Sequence, residues 1–213
     1  MINVGIIGFG KMGKIRAQTV VESGLGRVNN IYDVTPIQDT KYECVSSPED
    51  IFNDNNNNAI FICTPNHLNK ELTIKGLNAG KHIFCEKPLD LSISKTRKAY
   101  DNAEQADVKL MTGFNRRFDP EFQKIKSLVD SGSIGKTEII KIPSRDPAPP
   151  SIEFLASSGG LFADMAIHDF DMARFISGKE VKDVFAVGKV MVDKVIGELG
   201  DIDTAITTLT FED

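Results

Sequence analysis

The stretch Val4-Gly5-Ile6-Ile7-Gly8-Phe9-Gly10-Lys11-Met12-Gly13 carries an apolar run straight into glycines spaced G-x-G-x-x-G. Residues 4–8 have the length and character of a buried strand, and Lys11–Glu22 follows with a helical pattern. Each glycine between them has its own use. Gly8 permits a tight turn, Gly10 lets a ligand approach bare backbone, and Gly13 lets helix and strand pack closely. The N–H groups and positive dipole at the helix start suit a pyrophosphate, and Phe9, Lys11 and Met12 lie in the same loop. Residues 28–33 form a second strand that ends in an acid, and Asp33 lies 20 residues beyond Gly13. An acid there accepts hydrogen bonds from the adenosine ribose and repels a 2′-phosphate. Neither Val34 nor Thr35 adds the positive charge a 2′-phosphate needs, so the pattern favours NAD.

Working outward, short β-rich runs alternate with helical ones. Strands are expected at 59–63, 81–85 and 108–113, and helices at 69–79 and 92–106. Ser47-Pro48-Glu49-Asp50 reads as a helix start, with Ser47 as N-cap and Pro48 at the first helical position. The run Asp54-Asn55-Asn56-Asn57-Asn58 reads as a surface loop. Such alternation predicts an α/β fold with a doubly wound parallel sheet of the Rossmann type. After about Phe118 the rhythm changes. A helix is expected over 121–129 and another over 161–176, with longer strands at 137–144 and 182–192. Ala205, Thr207, Leu209 and Phe211 alternate on one face of a half-buried strand. The boundary is placed at residue 119. Residues 1–119 form the dinucleotide-binding domain, and 120–213 an incomplete α+β domain with an open mixed or antiparallel sheet.

The bulk composition narrows the function classes. The 213 residues are 41% hydrophobic and 26% charged, with net charge −5 and mixed signs, so neither a nucleic-acid face nor a membrane-surface helix is indicated. No apolar run approaches a membrane span. The chain enters its first strand at once, leaving no room for a signal peptide. Cys44, Cys63 and Cys85 form no C-x-x-C pair, so reduced thiols in a cytoplasmic protein are expected.

Several residues carry candidate chemistry. Thr64-Pro65-Asn66 and Glu86-Lys87-Pro88 each follow a strand, at the edge where such sheets bind ligands. Pro88 restricts Lys87 to extended backbone, and a lysine there could hold a hydroxyl and stabilise its alkoxide. In Gly159-Gly160-Leu161-Phe162-Ala163-Asp164-Met165-Ala166-Ile167-His168, helical spacing sets Asp164 and His168 on one face. An imidazole beside a carboxylate handles protons; a capped helix with a satisfied His at its edge is the alternative. Asp164, Asp169, Asp171 and His168 lack a second His or Cys nearby, so no metal site is expected. Cys85 closes an apolar strand and reads as a buried structural thiol. Arg116 and Arg117 would contact substrate or brace the two domains.

The order GFGKMG, Asp33, TPN, CEKPL, GFNRRFDP, SRDP and GGLFADMAIHDFD resembles the Gfo/Idh/MocA oxidoreductase family along the whole chain. The resemblance is strongest to members that oxidise a ring hydroxyl of inositol. It implies catalytic roles for Lys87, Asp164 and His168, and substrate positioning by Arg116 and Asp146. It places Glu86 beside the cofactor and implies a polyol substrate. A homologue that binds NAD without catalysis, or one acting on an aldose or dihydrodiol, shares most of the pattern. Members often carry His where this chain has Asn69, a change expected to affect cofactor binding little. Members are also longer than this chain, so further substrate-lining residues and much of a homo-oligomer interface are expected beyond Asp213.

Overall fold

The computed structural model describes residues 1–212 and divides into two compact units, Met1–Gly113 and a second from Phe114 on. In the first, β1 (Ile2–Ile7), β2 (Gly26–Tyr32), β3 (Glu43–Cys44), β4 (Ala59–Ile62), β5 (His82–Cys85) and β6 (Leu110–Thr112) form one sheet. Its order is β3-β2-β1-β4-β5-β6, and every pairing is parallel. The chain winds outward from β1 to β2 and β3, then returns to β1's other side with β4. The switch point therefore lies between β1 and β4, where open α/β sheets hold their ligands.

Helices α1 (Lys11–Glu22), α2 (Pro48–Asn53), α3 (Asn66–Asn78) and α4 (Ile93–Gln105) connect these strands. Strand periodicity sends alternate residues to opposite faces and creates two cores. Ile7, Ile60, Ile62, Ile83 and Cys85 pack with residues of α2, α3 and α4. Val4, Ile6 and Ile31 pack with Ala17 and Val20 of α1. Each fully buried Ile stabilises the fold by about 1.5–3 kcal/mol. Ser47 caps α2 as its sequence predicts: its side chain accepts from the Asp50 N–H, and Asp50 accepts in return from the Ser47 N–H.

The Asp54–Asn58 run is only partly a surface loop. Asn57 is 2% exposed, donating to Asn30 and to the Ile51 carbonyl while its own carbonyl accepts from Lys81. Composition marks the run as polar, but the strand-end carbonyls and amides it satisfies come from elsewhere in the chain.

The second unit opens with a 3₁₀ turn at Asn115–Phe118 and α5 (Pro120–Asp130), capped by Asp119. Then come α6 (Ile152–Ser158), a π-helical turn at Phe162–Ala166, and α7 (Ile167–Ser177). β7 (Val181–Lys189) and β8 (Thr204–Phe211) form an antiparallel pair, with α8 (Lys194–Glu198) between them in sequence. Along β8, Ala205, Thr207, Leu209 and Phe211 are half-buried while the residues between them are exposed, as the alternation predicts.

Three expectations change. Residues 137–144 are not a strand: among the described residues the second unit's only ladder joins β7 to β8, and an extended run without a partner forms no sheet. β7 ends at Lys189, because Asp203 draws the N–H groups of Met191, Val192 and Asp193 into a turn. The helix expected over 161–176 opens with the wider π turn before it becomes α-helical.

Candidate functional site

The loops that leave the C-terminal ends of β1, β4 and β5 gather along one edge of the first unit. Backbone bonds extend the parallel ladder into them: Gly8 N donates to Tyr32 O, Cys63 N to Ile7 O, and Glu86 N to Ile62 O, all within 2.8–2.9 Å. The glycines are needed here. Gly8 has φ 88°, and a Cβ on it would stand 2.5 Å from Cys63 O, so the 63–66 loop backs directly on the glycine turn. A Cβ on Gly13 would stand 2.1 Å from Gly8 O. At Gly10 it would meet nothing within 4 Å, leaving that backbone open.

Gly10 caps α1 without a side-chain hydrogen bond, and the first turn carries no acid. The helix start is therefore an anion site supplied by backbone N–H groups. Asp33 closes the loop: its Oδ2 accepts from Phe9 N at 2.6 Å, and Oδ1 from Thr35 N at 2.9 Å. Each oxygen keeps a further lone pair for a ligand hydroxyl. An open backbone at a helix start, beside a fixed acid, fits the two phosphates and ribose of a dinucleotide.

Glu86 is 9% exposed and accepts from Arg16 Nε of α1 at 2.6 Å. A Cβ on Gly113 would come within 2.9 Å of its Oε2, so the carboxylate fills space that glycine leaves. Lys87 follows, with a cis bond to Pro88. Asn69, at 0% exposure, lies beneath this loop and donates to the carbonyls of Glu86 and Pro88. Nothing in the motif spacing singled Asn69 out. Burial, then the charge of Glu86, pushes the neighbouring Cys63 thiol up to about 12, and burial does the same for Cys85.

In the second unit, Asp164 lies on the π turn and His168 in the first turn of α7. π turns inside α-helices recur at functional sites. The Phe114 ring meets the His168 imidazole edge-on at 6.4 Å. Arg116 pairs with Asp169, the residue after His168, and Ser144 Oγ donates to the same carboxylate at 2.7 Å. Thus Arg116 and the Ser144-Arg145-Asp146 segment gather at the start of α7, with Asp146 exposed. Arg117 forks onto Asp171 at 2.6–3.0 Å and fixes the 3₁₀ turn to α7. Both arginines therefore brace the second unit from within. Asp201, also missed in the sequence, accepts from Leu161 N and caps this helix from 40 residues away. Among the described residues, no group of His, Cys, Asp or Glu is arranged to hold a metal ion. Nor is any described helix long and apolar enough to cross a membrane.

The first unit is by these features a dinucleotide-binding domain of the oxidoreductase type. Residues 2–114 match the family described as an oxidoreductase family with an NAD-binding Rossmann fold, and residues 122–213 match the GFO/IDH/MocA C-terminal domain. The chain belongs to the Gfo/Idh/MocA oxidoreductase family. It is 44% identical to the uncharacterized oxidoreductase YrbE of Bacillus subtilis, over 99% of this chain and 64% of that protein. It is 40% identical to the myo-inositol 2-dehydrogenase of Thermotoga maritima, over 99% of this chain and 65% of that one. Among solved structures, scyllo-inositol dehydrogenase of Lactobacillus casei, with bound NAD(H) and scyllo-inositol, superposes with TM-score 0.83 at 29% identity. That match covers 100% of this chain and 66% of that one. The chain thus spans about two thirds of the length of the curated relatives it matches.

Proposed function

We propose that this chain carries the cofactor-binding and proton-handling parts of an NAD-dependent dehydrogenase that oxidises a ring hydroxyl of inositol or a related cyclic polyol. The observation that carries the reading is the edge of the first unit, where an open Gly10, a loop-bound Asp33 and a buried anchor under Lys87 stand together. The likeness to inositol dehydrogenases supports the substrate class.

The backbone of Gly8, Phe9, Gly10, Lys11, Met12 and Gly13 takes the pyrophosphate, and Asp33 takes the adenosine ribose. Thr64, Pro65, Asn66 and Glu86 border the nicotinamide end. NAD, when bound, supplies the hydride acceptor, so the hydroxyl proton is what the protein itself must manage. Lys87 donates to the reacting oxygen and offsets the charge that grows on it. His168 takes the proton, and Asp164 orients the imidazole or binds a neighbouring hydroxyl. Asp146, and Arg116 through the part of its side chain left exposed beside Asp169, position the rest of the ring.

Mixing the protein with NAD and a panel of inositols and sugars, and following the reduced-nicotinamide absorbance, tests this. His168→Ala should lower turnover by about 10²- to 10⁴-fold while leaving NAD affinity unchanged. Demonstrated NAD binding without turnover on any panel member would exclude the dehydrogenase reading and leave a non-catalytic NAD-binding protein.

A further inference from the structure

Asn69 uses every hydrogen-bonding group of its amide in full burial. Its Oδ1 accepts from Thr64 Oγ1 at 2.9 Å, and its Nδ2 donates to Glu86 O at 3.2 Å and to Pro88 O at 3.0 Å. The two acceptors flank Lys87 on both sides. Thr64 begins the loop after β4, and Asn69 itself sits in the first turn of α3. Glu86 is held a second time, by Arg16 of α1 through its side chain and by Ile62 O through its backbone N–H. One side chain therefore ties the β4 loop, α3 and the β5 loop together, and Lys87 lies between the two carbonyls it holds.

We propose that Asn69 is a positioning residue that fixes the Lys87 backbone and so determines where the lysine ammonium is presented to the substrate oxygen. The two carbonyls demand donors and the Thr64 hydroxyl demands an acceptor, a combination a primary amide meets in full. A neutral imidazole offers one donor and one acceptor and meets it in part, while a leucine meets none of it. The glycine turn and Asp33 make no bond to Asn69, so the cofactor's adenosine half should not feel its loss. For its catalytic consequence the inference rests on the dehydrogenase reading above.

The test compares Asn69→Leu and Asn69→His with the unaltered protein by three measurements: hydrogen–deuterium exchange at the Lys87 and Leu89 amides, NAD affinity by calorimetry, and kcat on the best polyol. For Asn69→Leu, exchange should accelerate at Lys87 and Leu89 while the β1 and β4 amides stay protected. Its kcat should fall on the order of 10- to 100-fold at unchanged NAD affinity, because displacing a reacting group by an ångström has that scale of effect. Asn69→His should recover most of both losses. A folded Asn69→Leu with unaltered exchange at Lys87 overturns the proposal. So does equal loss of kcat and NAD affinity without rescue by His, since that describes a merely structural residue. Should Asn69→Leu fail to fold, Asn69→Asp, of similar size but without donors when ionised, is read in its place. If the unaltered protein turns over no polyol, the dehydrogenase reading falls, while amide exchange at Lys87 still decides the clamp.

Discussion

At Asp33 one carboxylate would, in the proposed cofactor site, serve the chain and its ligand together. Its Oδ2 accepts from Phe9 N and fixes the glycine turn, and in the proposed cofactor site its charge and remaining lone pairs would take the ribose. Alanine there would confound the two functions by leaving a loop N–H without its acceptor. Asp33→Asn comes nearer to separating them, because its one amide oxygen can still accept from Phe9 and the exposed Thr35 N–H can turn to water, while the charge is gone. We expect Asp33→Asn to weaken NAD binding by about tenfold, as a charge-assisted hydrogen bond is replaced by a neutral one. Discrimination against NADP should narrow at the same time. Calorimetric titration with both dinucleotides measures this, and an unchanged NAD/NADP ratio would refute the assignment. Asp33 was legible in the sequence because its spacing from the glycines is set by a local β-α-β unit. Asn69 stood out only as a departure from the His of the resembled family; its bonding was not legible, because its partners lie 17 and 19 residues away and nothing in a tripeptide spacing reveals a buried amide.

Among the elements, the helix that carries Asp164 and His168 depends most on distant support. Gly159 and Gly160 both have positive φ, 90° and 85°, so the chain enters the helix through a turn that only glycine adopts easily. Ser158 Oγ takes up the Gly160 N–H locally, and the Asp201 carboxylate, 40 residues on, takes the Leu161 N–H at 3.1–3.2 Å. Asp201→Ala should cost about 1 kcal/mol of stability, the usual scale for a lost cap, and should lower turnover through the displaced His168. Urea unfolding together with kcat checks both; a loss of stability with full kcat would show that the cap does not reach the site. Apolar periodicity located this helix but not its π turn, since one extra residue in a single turn barely alters the pattern. The 137–144 run failed as a strand for a related reason. Its composition is β-like, but a strand also requires a partner, and partners are not a property of the segment. The central strands β1, β4 and β5 were readable because each is a short apolar run that ends in a loop of distinctive residues, whereas the exposed two-residue β3 left no such signal.

For the whole molecule, one half-buried and one buried thiol of the first unit set a pH limit. Both Cys63 and Cys85 are pushed up to about 12, chiefly by burial. An unfolded thiol ionises near 8.5, so between roughly 8.5 and 12 the unfolded chain has released protons that the folded chain keeps. Stability from this source is complete below that window and falls as pH rises through it. Urea midpoints measured from pH 7.5 to 10.5 should decline, and Cys85→Ala should lessen the decline. In the folded protein Cys44, which is exposed, should react with a thiol reagent well before the other two; three equal rates would contradict the burial. β7 points the other way, toward solvent: Val184 is 63%, Phe185 68% and Val187 52% exposed, and Ile206 of β8 is 70% exposed. Neighbouring residues on a strand face opposite sides, so both faces of this pair present apolar surface. Warmed chains that meet through such surfaces are expected not to part again, which would make the protein's working lifetime a matter of encounter rate, set by concentration and by how fast it is heated.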